Sequence, residues 1–356
     1  MLRLFGGSMG ADGRERLCYD PLPSRKRFVL MSATDVLATL ADGAVHSGAD
    51  LARHQGLSRT AIWKQVATLE KLGIKVTRVR GQGYQIEGGL DLLDEQRIRD
   101  AIDTDASTWL HDLQIHQSID STNAELRRQT PFGRRASVCL AESQSAGRGR
   151  RGRSWVSPFA SSIYLSVGWQ FRGGAEVLEG LSLAIGVAVG EALGELGVDS
   201  IALKWPNDIY LDGKKLAGIL VEMSGDFSGP CDVVVGIGIN VQLPDGAAEG
   251  IEQPWADLRD SGQGAFTRSV LVGKLLSHLL PALATYEEHG FAPWRERWLA
   301  MDAFAGRPVI VDNNGRRLSG TAAGVDARGA LLLSTGAGVQ SIYGGEVSLR
   351  LQEAAQ

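Results

Sequence analysis

KWPNDIYLDGKKLAGILVEM, residues 204–223, is the stretch that decides the fold. Lys204, Trp205, Pro206, Asn207 and Asp208 read as a strand stopped by a proline that cannot continue a ladder, with polar groups presented at its tip. Ile209 to Leu211, the pair Asp212-Gly213, and Lys214 to Met223 then spell a β-hairpin, because Asp-Gly supplies the two positive-φ residues of a tight turn. The hairpin gives Lys215 a fixed side of the sheet beside apolar Leu216 and Ile219. A lysine so held can neutralise a carboxylate or a phosphate as a point charge, whereas an exposed hairpin lysine is merely solvated.

A second strand is expected over Val233 to Val241, with Gly236 and Gly238 two residues apart and so on one face. The missing side chains leave a flat slot, open either to a ligand or to a closely packed element. Upstream, Gly147, Arg148, Gly149, Arg150, Arg151, Gly152 and Arg153 alternate glycine with arginine. Backbone amides there can turn toward an anion while guanidinium groups supply charge-assisted bonds. Alone, such a run reads equally as a flexible linker or a nucleic-acid tether. Ser154, Trp155, Ser157, Pro158 and Phe159 and an expected strand over Ser162 to Trp169 tie it to a core, which favours a loop that orders around a nucleotide. Arg150 is the first choice for stabilising charge on an α-phosphate and a departing pyrophosphate. Ser121, Thr122 and Asn123 precede a helical run Ala124 to Arg128; Thr122 with Glu125 reads as a capping box, and pocket-floor polar groups are the alternative.

Toward the N-terminus, Val36, Leu37 and Leu40 start a helix that ends at Gly43, a second starts at Ser47, and Ser58 caps a third that ends at Gly73. Ile62, Val66, Leu69 and Leu72 form one stripe, turning Arg59, Thr60 and Lys64 outward. Strands Val76 to Val79 and Tyr84 to Ile86 form a wing. From Arg59 to Arg80 six basic residues outweigh one glutamate, a net of +5 against −4 for the chain, which points to phosphates as the partner of this face. Arg59, Thr60, Trp63 and Lys64 are the candidates near base edges, with Arg78 and Arg80 on the backbone or minor groove. A protein-contact module with a solvated basic face is the alternative. Residues 302–351 read as short strands around turns at Asn314-Gly315, Arg328-Gly329 and Gly344-Gly345, a small β-barrel.

Composition, with 44% hydrophobic and 22% charged residues, fits a globular α/β chain of two or three domains. Cys18, Cys139 and Cys231 are too scattered for a tetrahedral metal site and read as free thiols of a reducing cytoplasm. The longest apolar stretch, Gly180 to Gly190, is too short for a membrane span. Residues 1–30 lack periodicity and read as a disordered leader, with Met9 or Met31 as alternative starts.

Taken in order, the Ser-Thr-Asn cluster, Gln144, the Gly/Arg loop, Lys-Trp-Pro-Asn-Asp, Lys-Leu-Ala-Gly-Ile and Val-Gly-Ile-Gly-Ile-Asn resemble the biotin protein ligases in their bifunctional ligase and repressor form. The resemblance covers about Ser32 to Leu351. It implies an α+β architecture: a leader (1–30), a winged helix-turn-helix (31–92), a mixed-sheet α/β ligase domain of the biotin/lipoate type (93–300) and an SH3-like β-barrel (301–356). It implies that Ser121, Thr122, Asn123 and Gln144 bind the ureido ring of biotin and its surroundings, that Gly236 and Gly238 line the slot, and that Arg148, Gly149 and Arg150 form the biotin and adenylate loop. Lys215 would contact the activated carboxylate and phosphate, and Asn207 and Asp208 would arrange ATP and magnesium. The implied partners are the biotin carboxyl carrier protein of acetyl-CoA carboxylase, operator DNA of biotin genes, and a second subunit when adenylate is bound. Two rivals stand beside it: a lipoate ligase, and a transcription regulator that only senses a ligand.

Overall fold

The computed structural model describes residues 35–225, 229–244, 246–251, 253–262, 266–313, 315–344 and 347–352. The leader with Met9 and Cys18, the start at Met31, the helix onset from Ser32, Asn314 and Gly345 lie outside the described residues. The chain divides into two compact units, Met1–Gly89 and Leu90–Gln356.

In the first unit, residues 35–40 are helical (α1), and Val36, Leu37 and Leu40 are buried. Helix α2 (Gly48–His54) is capped by Ser47, whose hydroxyl accepts from Asp50 N, and α3 (Arg59–Lys71) by Ser58, which accepts from Ala61 N. Each serine satisfies one of the backbone N–H groups left over at a helix start. The expected stripe of α3 packs inward: Ile62, Val66 and Leu69 are fully buried. Of the wing strands, β1 (Thr77–Val79) starts one residue later than expected and β2 (Gly83–Gln85) is displaced by one residue. Val76 and Ile86 flank the ladder as buried anchors. Gly83 must be glycine, because a Cβ there would lie 1.9 Å from the His46 carbonyl oxygen that bridges onto this strand.

The second unit is built on a seven-stranded sheet of order β3-β4-β5-β9-β8-β7-β6. Its strands are β3 (Leu110–His116), β4 (Ala136–Ala141), β5 (Ser162–Phe171), β6 (Ile201–Lys204), β7 (Asp208–Leu211), β8 (Lys214–Gly225) and β9 (Cys231–Asn240). Only β3 and β4 pair in parallel; the sheet is mixed. β5 and β9 are buried along nearly their whole length, with one apolar face each and an opposite face of small or polar residues such as Ser162, Ser166, Gly236, Gly238 and Asn240. Each fully buried Val, Leu or Ile there contributes roughly 1.5–3 kcal/mol of transfer free energy. The expected hairpin closes at Asp212 and Gly213, with φ of 48° and 75°.

Helices α4 (Glu95–Asp100), α5 (Thr104–Ser107), α7 (Leu181–Glu195), α8 (Arg268–His289) and α9 (Arg295–Ala300) join the sheet in one core. Among the described residues, α8 (Arg268–His289) is one helix long and apolar enough, by length and composition, to cross a membrane. Two thirds of it is buried against the protein, on α7 and α4, so it is accounted for as a core helix. A polar residue every few positions had hidden it. The C-terminal strands β10 (Pro308–Asn313), β11 (Arg316–Val325), β12 (Leu331–Thr335), β13 (Gly338–Ile342) and β14 (Val347–Leu351) form an antiparallel sheet of order β13-β12-β11-β10-β14. It is tied to the central domain where Leu203 pairs with Met301 and Ala303, and where buried Trp205 donates its indole N–H to the Gly329 carbonyl at 3.1 Å.

Candidate active site

The cleft floor starts at helix α6 (Thr122–Arg128). Its cap is Ser121, whose Oγ accepts from Ala124 N, and not Thr122. Glu125, the expected partner in a capping box, turns instead to Arg128 and Gln129. Capping therefore explains one of the three polar residues, and it uses the Ser121 oxygen as an acceptor while leaving the hydroxyl proton to donate. Thr122 receives Gln144: its N–H and hydroxyl both reach Gln144 Oε1, at 2.9 and 3.2 Å, while Gln144 Nε2 donates to Ser157 Oγ. Asn123 lies against Gly236, where a Cβ would come within 2.3 Å of Asn123 Oδ1.

Gly238 is filled differently. The indole of Trp155 lies on it, 2.6 Å from where a Cβ would be, and the same ring reaches Gly218. The two glycines of β9 thus admit protein groups into the plane of the sheet's own side chains. Trp155 Nε1 is buried with no hydrogen-bond partner, so the ring carries an unspent donor at the slot.

Above the floor, Lys215 Nζ lies 2.6 Å from Asp208 Oδ1, and Lys204 Nζ 3.5 Å from Asp208 Oδ2 and 3.0 Å from the Tyr210 hydroxyl. Burial pushes the basicity of both amines down, and Asp208 partly offsets it. Two amines share one carboxylate, so the cluster has positive charge to offer an incoming anion. Asn207 Oδ1 accepts from Arg150 at 2.7 Å, and Asn207 Nδ2 donates to the Ile219 carbonyl. Arg150 also reaches the Val347 carbonyl of β14, so the Gly/Arg loop touches the C-terminal sheet.

That loop is a closed structure. Gly149 N donates to Arg153 O, Trp155 N to Gly147 O, and Arg148 bridges to Ser154. Arg151 and Gly152 turn the chain at positive φ. A Cβ on Gly147 would strike Ser157 Oγ and the Trp155 carbonyl at 2.7 Å, so glycine is required where the loop leaves the floor.

Ser121, Thr122, Asn123, Gln144, Arg148, Gly149, Arg150, Asn207, Asp208, Lys215, Gly236 and Gly238 all line one cleft of about 1180 Å³. Sequence reasoning passed over several of its neighbours. Lys204 and Tyr210 complete the charge cluster, and Trp255 and Arg350 also line the cleft. Residues 254–256 run beside Lys215 through Lys215 N to Pro254 O and Ala256 N to Lys215 O. Ser166 and Glu222, polar residues inside the apolar strands β5 and β8, support Asn123 from behind. A polar residue in such a strand is the signal that could have found them.

The first unit keeps its expected surface. Arg59, Thr60, Lys64 and Arg80 are exposed, and Trp63 is 54% exposed on the same helix. Arg78 is exposed too, but its guanidinium pairs with Glu70 at 2.9 Å, which spends part of the charge assigned to it.

Three family profiles match the chain: the biotin/lipoate A/B protein ligase family over residues 115–240, an HTH domain over 33–85 and the biotin protein ligase C-terminal domain over 304–350. The bifunctional ligase/repressor BirA of Salmonella typhimurium is 39% identical over 318 residues, covering 89% of this chain and 97% of the relative. The chain belongs to the biotin protein ligases. Among other members, a biotin–acetyl-CoA-carboxylase ligase of Paracoccus denitrificans is 40% identical over 237 residues, covering 64% of this chain and 96% of its own. The biotin protein ligase of Aquifex aeolicus, solved in complex with biotin and ATP, superposes with a TM-score of 0.58 at 28% identity, covering 68% of this chain and 99% of that one. This biotin protein ligase carries the helix-turn-helix domain in front of the catalytic part and the family's C-terminal domain behind it.

Proposed function

We propose that the cleft joins biotin to ATP, forming biotinyl-AMP, and then passes biotin to a lysine of the biotin carboxyl carrier protein. In the first step a carboxylate oxygen of biotin attacks the α-phosphorus, an acyl–phosphate bond forms and pyrophosphate leaves. In the second the neutral amine of the acceptor lysine attacks the acyl carbon, an amide forms, and AMP and a proton depart. The observation that carries this reading is the convergence of residues from 121 to 238 on one cleft that has polar groups at its floor and a shared Lys215–Asp208–Lys204 cluster above. Ser121, Thr122, Asn123, Gln144, Gly236 and Gly238 hold biotin. Lys215 and Arg150 stabilise the charge that grows on the carboxylate, the α-phosphate and the pyrophosphate, with Arg148 and Gly149 closing over them.

Magnesium enters as the companion of ATP. Among the described residues no three His, Cys, Asp or Glu side chains gather to hold a metal ion. Asp208 is engaged by two lysines and Asn207 by Arg150, so the protein alone offers no cage, and the ion would be held chiefly by phosphate oxygens.

The exposed face of α3 with the wing is the DNA-reading element, with Arg59, Thr60, Trp63 and Lys64 toward base edges and Arg78 and Arg80 toward the backbone. The target is operator DNA of biotin genes, bound by a homodimer that forms when adenylate fills the cleft. A ligand that favours the dimer favours operator binding to the same degree. Free thiols at Cys139 and Cys231 fit a reducing cytoplasm.

The test is incubation of the purified chain with labelled biotin, ATP, magnesium and a carrier domain. Acceptor labelling is expected; labelling by lipoate and not by biotin would overturn the substrate. Operator binding should tighten with biotin and ATP together, and indifference to both would remove the repressor role.

A further inference from the structure

Behind the cleft floor a line of hydrogen bonds leads from Thr122 to a carboxylate. Thr122, Asn123 and Ser166 are 4%, 4% and 0% exposed. Ser166 Oγ lies 2.7 Å from Thr122 Oγ1 and 2.6 Å from Asn123 Oδ1. Asn123 Nδ2 donates to Glu222 Oε2 at 2.8 Å and to the Leu220 carbonyl at 3.4 Å. Glu222 is paired in turn with Arg127 at 3.0 Å.

The protons in this line have one consistent arrangement. A carboxylate only accepts, so Glu222 holds the NH₂ end of the Asn123 amide and leaves its oxygen for Ser166. Each oxygen–oxygen contact of this length needs a proton between its atoms. The amide oxygen has none, so Ser166 donates to Asn123, and Thr122 must donate to Ser166; its 3.2 Å approach to Gln144 Oε1 then holds no proton, and that oxygen is bonded by the Thr122 N–H. Thr122 then keeps lone pairs, and no proton, to turn toward the cleft. If the amide were turned round, its oxygen would face the carboxylate at hydrogen-bond distance with no proton between them. In that arrangement Ser166 would accept from Asn123 and donate to Thr122, whose own proton would turn to Gln144 or outward.

We propose that Glu222 is a positioning residue for ligand choice: it sets the direction of this proton line and so makes Thr122 a hydrogen-bond acceptor toward the cleft. The matching ligand group is an N–H, which the ureido ring of biotin supplies; the inference rests on the biotin reading above. Arg127 takes the other Glu222 oxygen, Oε1, at 3.0 Å. Gly236 leaves the Asn123 amide the room to lie flat against the sheet.

Glu222→Gln tests it, because a glutamine can offer its own N–H to Asn123 and allows the line to reverse. The probes are biotin and two cyclic carbamate analogues, each with one ureido N–H replaced by oxygen. The parent should reject one analogue strongly. In Glu222→Gln, the biotin KM should rise roughly tenfold with kcat within about twofold, the worth of one misdirected hydrogen bond, and the preference for biotin over that analogue should shrink by a similar factor. Glu222→Asp, still an acceptor only, should keep the parental preference. Ser166→Ala, which removes the middle carrier, should lose it, and serves should Glu222→Gln fail to fold. Parental preference retained in both Glu222→Gln and Ser166→Ala, with biotin bound normally by the parent, would overturn the relay alone. No biotin binding by the parent would overturn the biotin reading and the relay with it.

Discussion

Arg59, Lys64 and Arg80 stand in water, whereas Lys215, with a side chain only 13% exposed, is held against a carboxylate. The two regions use the same side-chain chemistry for different ends. On α3 and the wing the charges are many, long-stemmed and free to adjust, which suits a polyanion whose affinity comes from counterion release. In the cleft they are few, desolvated and fixed to 2.6–3.5 Å partners, which suits charge that develops at one atom. Position matters in the second region, and number in the first.

The contrast predicts a steep difference in what one substitution does. Lys215→Ala should slow biotin-dependent pyrophosphate release by on the order of 10²–10³-fold, the usual loss for one positioned transition-state donor. Its melting temperature should fall modestly, since Lys204 remains beside Asp208. A loss below tenfold would mean that the cleft works like the surface, by summed charge. Gly238→Ala tests the fixed geometry without touching charge: a Cβ 2.6 Å from the Trp155 ring must displace the indole. Overpacking of this kind costs about 1–3 kcal/mol, and biotin titration should show it as weakened affinity. Arg80→Ala should leave ligation unchanged, weaken DNA binding several-fold and lower the slope of log affinity against log salt by about one. An unchanged slope would take Arg80 off the phosphates.

The smallest effect is expected at an exposed clasp. Asp120 takes both terminal nitrogens of Arg128 at 2.9 Å, which holds its carboxyl down at about 2. A depressed acid contributes stability above its ordinary value of 3.8 and loses it as pH falls toward 2. Asp120→Asn should therefore cost under about 1 kcal/mol at neutral pH, because the pair is solvated. The gap between parent and variant in acid unfolding should close between pH 3.8 and about 2.

Local signals carried much of the architecture into the sequence. The Asp212-Gly213 turn, the α3 stripe and the serine caps at Ser47 and Ser58 each depend on residues within one turn or one hairpin, and each is where the spacing puts it. What escaped depends on distance along the chain. Ser166 and Glu222 meet Asn123 across 43 and 99 residues, and Trp155 fills a slot made by Gly238. No periodicity encodes such meetings. The capping box at Thr122 failed because Ser121 takes the cap, the Thr122 N–H goes to Gln144 across 22 residues, and Glu125 pairs with Arg128 and Gln129.

The glycines of β9 have a consequence for how finely this enzyme can be tuned. Gly236 and Gly238 keep their ladder pairings to both β5 and β8, so no hydrogen bond is surrendered to create the floor. The depth of the floor is set by two absent methyl groups, each replaced by part of a side chain from elsewhere. A single-carbon change on this strand therefore moves an amide or an indole, and with it the shape of acid admitted, while the sheet that carries them stays as it was.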